Sequence, residues 1–126
     1  MDEEFLNACI NGDIERVKRL IRVVDPSTAN NWAIRLASQF GHKDVVQLLL
    51  ADPRVDPSVG DNMPILLASQ YGKIDVVRLL LDDPRVDSSA GDNQAIRYAK
   101  QYPNVVQLLT EHQFRLDGPE YNKNIL

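Results

Sequence analysis

From Asp75 to Leu81 the chain reads DVVRLLL, with Val76, Val77, Leu79, Leu80 and Leu81 forming a broad apolar face at helical spacing. Just before it, MPILLASQY carries Ile65, Ala68, Ser69 and Tyr71 at a spacing that also predicts a helix, shorter and narrower in its apolar stripe. Gly72 separates the two, because a left-handed residue commonly ends a helix and glycine takes that conformation at least cost. Asp75 falls in the first turn of the second helix, where a carboxylate suits the positive end of the helix dipole. Asp83-Pro84 closes the unit, since the residue before a proline avoids the α region. The predicted element is a helix–turn–helix opened by a polar turn, PSVGDN.

This pattern recurs. Ala37, Ala68 and Ala99 are spaced by 31 residues, as are Asp25, Asp56 and Asp87. A more divergent copy, ACINGDIERVKRLI, sets Ala8 against Ala37 and Gly12 against Gly41. Four units are expected, at about 1–24, 25–55, 56–86 and 87–116, followed by a tail over 117–126, all within one domain. A unit of this size cannot bury its apolar faces alone, so the units must stack into a solenoid with capped ends. The fourth unit lacks two residues between its helices, and Pro103 follows Tyr102 where Gly41 follows Phe40 and Gly72 follows Tyr71. That turn must be built differently.

The order of turn, short helix, glycine, VV-x-LLL helix and loop resembles the ankyrin repeat over residues 1 to about 116. The family's Thr-Pro-Leu-His-x-Ala signature falls on Trp32 to Ala37, Met63 to Ala68 and Gln94 to Ala99, where the apolar third position and the alanine are kept. The DN-x-AIR-x-AS form resembles a short-period variant found in large DNA viruses and protists. The resemblance implies an all-α solenoid of stacked helix–turn–helix units with short turns in place of long hairpins. It also implies a concave protein-binding surface made from the residues before each helix-ending glycine and from the turn tips. By position that surface is Asn11, Thr28, Asn31, Gln39, Phe40, Val59, Asn62, Gln70, Tyr71, Asn93, Gln101 and Tyr102. Ile10, Ala29, Gly60, Ala90 and Gly91 stand beside them.

Phe40, Tyr71 and Tyr102 would then form a file about 20 Å long, at one helix diameter per unit. Rigid amphipathic rings suit recognition, because they supply area at low entropy cost. Mutual stacking of the rings, or duplication of one ancestral unit, explains the recurrence equally well. The sequence does not choose between these readings.

Charge and composition narrow the function further. The 18 acidic and 14 basic residues give a net charge of -4 with no basic block, which disfavours nucleic acid as a partner. The Arg16, Lys18, Arg19 and Arg22 cluster reads as a solvated helix face. No run reaches membrane-spanning length, and MDEEFLNACINGD lacks the features of a secretory signal. Cys9 is the single cysteine, which points to a reducing compartment, cytosol or nucleus.

No nucleophile–base pair, metal-ligand spacing or phosphate-binding loop is present, so neither catalysis nor a cofactor nor a metal is expected. His42 is expected to cap the second helix of its unit, and His112 to lie at the end of the last helix. Arg35 is expected to reach Asp61 of the next turn. Phe114 and Leu116 are expected to close the end of the stack, with the chain frayed from Glu120. The functional expectation is a monomeric, non-catalytic module that binds another protein. The alternative is a small inhibitor or a homo-oligomeric assembly unit.

Overall fold

A computed structural model describes the backbone of residues 2–125 and the side chains of residues 2–114. Eight helices and no strand occur among the described residues: α1 Glu3–Asn11, α2 Ile14–Leu20, α3 Thr28–Gln39, α4 Lys43–Leu50, α5 Val59–Gln70, α6 Ile74–Leu81, α7 Ala90–Tyr98 and α8 Pro103–Ile125. They stack in two layers. α1, α3, α5 and α7 follow one another in the first layer, and α2, α4, α6 and α8 in the second. The small residues Ala8, Ala37, Ala68 and Ala99 let the layers approach, and Val45, Val46, Leu49, Val76, Val77, Leu80, Val105 and Leu109 fill the space between them.

The turns that open the second, third and fourth pairs share an unusual build. Asp25, Asp56 and Asp87 accept the backbone N–H and the hydroxyl of Ser27, Ser58 and Ser89, at 2.9 Å and 2.6–2.7 Å. Those bonds hold all three carboxyls below the usual aspartate range. Three successive left-handed residues follow each turn: Ala29 to Asn31, Gly60 to Asn62 and Gly91 to Asn93. Asparagine and aspartate tolerate this conformation better than other residues with a β-carbon, and the last asparagine uses it. Asn31 Oδ1 accepts the N–H of Asp56, and Asn62 Oδ1 that of Asp87, each at 2.8 Å across the seam to the next pair.

The second layer has its own seam device. Arg54 binds Asp52 through two nitrogens, at 3.0 Å and 2.8 Å, and donates to the Ile21 and Val24 carbonyls of the preceding pair. Arg85 repeats this on Asp83, Leu50 and Val55. Each guanidinium thus satisfies carbonyls left open where the preceding helix ends. The ion pair with Arg54 lowers the carboxyl of Asp52, and that with Arg85 lowers the carboxyl of Asp83.

Several expectations are corrected. Arg35 does not reach Asp61: its guanidinium donates to Ala29 O at 3.0 Å, and Arg97 does the same to Gly91 O, because each left-handed turn leaves carbonyls open within reach of its own helix. His42 stands at the N-cap of α4 but makes no cap bond, and Nε2 instead donates to Ile10 O, 2.6 Å away in the preceding pair. α8 continues through Ile125, so His112 lies inside it and the segment from Glu120 is helical. Phe114 is 60% exposed and closes nothing, while the Leu116 side chain lies outside the described residues.

Candidate functional site

The face that a first-layer helix turns away from the second layer is the open one. On α1 the residues Glu3, Leu6, Asn7 and Ile10 recur at helical spacing, and on α3 Trp32 and Leu36 do so. Together they line a groove of about 440 Å³ between the two helices. Trp32 is 40% exposed there. The equivalent positions continue along the layer: Met63 and Leu67 on α5 are half-buried, and Tyr98 on α7 is 46% exposed. The open face of the first layer therefore carries a mostly apolar band from Ile10 to Tyr98, interrupted on α7 by Gln94, with a hollow at the α1–α3 end.

The positions expected from sequence separate into three groups. Phe40 and Tyr71, the C-cap residues of α3 and α5, are each 44% exposed, with Gln70 exposed beside Tyr71 and Gln39 half-buried beside Phe40. Asn11, Thr28, Asn93 and Gln101 are also exposed, and Val59 is half-buried. Thr28 donates its hydroxyl to Asp25 O, and Asn93 accepts from Gln113 of α8 at 2.8 Å. Asn31 and Asn62 form the second group. They are only 8% and 7% exposed, and their amides are committed to the next turn's backbone, so they belong to the seam rather than to an open surface.

Tyr102 makes up the third group, and it leaves the ring file. Its carbonyl accepts Val106 N–H at 3.1 Å, as His42 accepts from Val46 and Lys73 from Val77 at 3.0 Å. A β-carbon on Gly72 would lie 2.6 Å from the Tyr102 ring, just as one on Gly12 would meet the His42 ring and one on Gly41 the Lys73 chain. Tyr102 is therefore the counterpart of His42 and Lys73, not of Phe40 and Tyr71. The two missing residues fall between Ala99 and Tyr102, where Tyr102 N–H bonds Ala99 O at 2.7 Å in a shortened turn. Pro103 then opens α8, a position where its missing N–H costs nothing.

Burial pushes the Cys9 thiol up to about 12, which leaves it protonated and unreactive near neutrality. Among the described residues no group of three or more His, Cys, Asp or Glu could hold a metal ion. No helix among them is long and apolar enough to cross a membrane. The basic cluster on α2 and just past its end is exposed, with Arg16 near Glu4 and Asp13 and Lys18 near Glu15.

Sequence reasoning missed Trp32, Leu36 and Tyr98. The available signal was the repeat register itself, because Leu36, Leu67 and Tyr98 recur at one position, a quarter turn or so round the helix from Ala37, Ala68 and Ala99. A family model described as ankyrin repeats (3 copies) matches residues 35–125. No solved structure matches the chain.

Proposed function

Because the chain belongs to the ankyrin-repeat family, whose members generally serve as protein–protein interaction modules, we propose that it binds a partner protein on its open first-layer face and has no catalytic activity of its own. The observation that carries this reading is the band of half-exposed apolar side chains, Trp32, Leu36, Met63, Leu67 and Tyr98, with Phe40 and Tyr71 at its edge. Contiguous exposed apolar surface of this kind marks an interaction site more often than a free surface. Trp and Tyr are also the side chains over-represented among residues that dominate binding energy. The seam bonds of Asn31, Asn62, Arg54 and Arg85 favour a rigid, preformed surface that loses little order on binding.

Affinity capture from the host's lysate tests this with three baits of equal helical content by circular dichroism. The wild-type chain and a second-layer control, Gln47→Ala with Arg78→Ala, are expected to retain the same protein. A Trp32→Ser, Leu36→Ser, Tyr98→Ser variant is expected to lose it. Retention by the last bait would mean that the partner uses another surface.

A further inference from the structure

The α1–α3 groove has a neighbour. Leu6 also lines a second hollow of about 200 Å³, with Asp2, Phe5, Val24, Asp25, Pro26, Thr28 and Ala33. The two hollows meet at one side chain and together present the carboxylates of Asp2, Glu3 and Asp25, while neither is lined by a lysine, arginine or histidine. Three flanking cations are engaged elsewhere. Arg16 lies between Glu4 and Asp13, Arg35 donates to Ala29 O, and Arg54, which faces Asp25 from the next pair, is paired with Asp52 at 2.8 Å. Among the described residues Glu3 makes no ion pair.

Resting on the open-face reading, we propose that these hollows together receive a basic-apolar segment of the partner. A bulky Leu or Phe side chain seats against Leu6, Ile10, Trp32 and Leu36, and a Lys or Arg from the same segment reaches the carboxylates at the start of α1. The spacing follows from the helix. Ile10 and Asp2 are two turns apart on one face, about 12 Å along the axis at 1.5 Å per residue. An extended segment covers that in three or four residues, so the cation belongs within about three residues of the anchor. The apolar contact supplies most of the affinity, and the carboxylates select the sign of the flanking charge and speed encounter.

Trp32 is the only tryptophan, so its emission reports directly on the groove. The probes are two acetylated, amidated octapeptides without Trp or Tyr, each carrying one Phe, with two Lys flanking it in one and two Glu in the other. The Lys peptide is expected to shift Trp32 emission saturably and to weaken as salt rises; the Glu peptide is expected to leave it unchanged. Asp2→Asn with Glu3→Gln keeps a good N-cap residue and is expected to weaken the Lys peptide about tenfold and to flatten its salt dependence. Leu36→Ser is expected to abolish the shift by the Lys peptide.

Equal binding of both peptides, survival of Lys-peptide binding in Leu36→Ser, or no shift at millimolar Lys peptide would each overturn the proposal. A concentration-dependent dimer by light scattering that buries Trp32 would overturn it too, by making a second copy the occupant. If the Lys peptide fails while the Trp32, Leu36 and Tyr98 variant still loses the captured partner, the open-face reading stands and only the basic-apolar assignment falls. If that variant keeps the partner, the open-face reading itself falls.

Discussion

Asn62 and Asn93 occupy the same place in adjacent helix pairs with nearly the same backbone, φ 65° and φ 61°. Asn62 is buried and holds the N–H of Asp87 in the next turn, whereas Asn93 is exposed and is met by the side chain of Gln113 instead. An identical local conformation thus has different energetic weight, depending on whether another turn lies beyond it. That is the behaviour of a one-dimensional array, in which stability resides in nearest-neighbour seams as much as in the units.

The largest test of this contrast is Asn62→Ala against Asn93→Ala. Asn62→Ala places a β-branchless side chain in a left-handed residue, at about 1–2 kcal/mol, and strands a backbone donor, at about 1–3 kcal/mol. A loss of about 2–4 kcal/mol is expected by urea denaturation. Asn93→Ala keeps only the first cost and is expected to lose about 1–2 kcal/mol. Equal losses would show that the seam bond contributes nothing.

Next in size are two glycines. Gly72→Ala pays for a left-handed residue, about 1–2 kcal/mol, and must also displace the Tyr102 ring, for a total of about 2–3 kcal/mol. Gly60→Ala has a similar φ, but its new β-carbon would meet nothing closer than 3.5 Å, so about 1–2 kcal/mol is expected. The difference in urea midpoint between the two variants measures the seam contact.

The shifted ring gives a smaller and sharper test. Tyr102→Ser is expected to lower stability by about 1–2 kcal/mol while leaving partner capture intact. Phe40→Ser with Tyr71→Ser is expected to do the reverse, changing stability by less than about 0.5 kcal/mol per site and weakening capture. Loss of capture by Tyr102→Ser alone would return that ring to the binding surface.

The smallest effect is on pH dependence. Asp25, Asp56 and Asp87 are lowered by their serine bonds, and Asp52 and Asp83 by their arginines. A lowered folded-state pKa adds stability that is complete above the ordinary aspartate value, near 3.9 in the unfolded chain, and disappears as pH falls through the folded value. Melting temperature should therefore be level near neutrality and fall below about pH 4. Ser58→Ala with Ser89→Ala should make that acid-side slope shallower.

Much of the fold was legible because its signals are local. The helix pairs follow from apolar spacing, their ends from Gly41, Gly72 and Asp83-Pro84, and the stack from the 31-residue period. The Arg54 and Arg85 clamps were legible in principle, since Asp-Pro-Arg recurs with the period. The candidate site was legible only in part. Phe40 and Tyr71 lie exposed, but Asn31 and Asn62 do not, because a turn-tip asparagine looks the same in sequence whether it faces water or the next turn. Trp32 and Leu36 were passed over as signature positions of the first helix, when their spacing also places them on its open side.

By itself, the sequence determined which repeat segments are helical, where those stopped by Gly41, Gly72 and Asp83-Pro84 end, and that the units must pack on one another, because propensity, capping and apolar period act within a few residues. Only the tertiary structure decided what each recurring letter is for. A two-residue deletion moved Tyr102 out of the position of Phe40 and Tyr71 and into that of His42 and Lys73, since the second layer keeps its register and the turn absorbs the loss. The same stacking buried Asn62 and left Asn93 open. Such assignments depend on what lies across a seam, about thirty residues away along the chain, and local pattern carries no record of it.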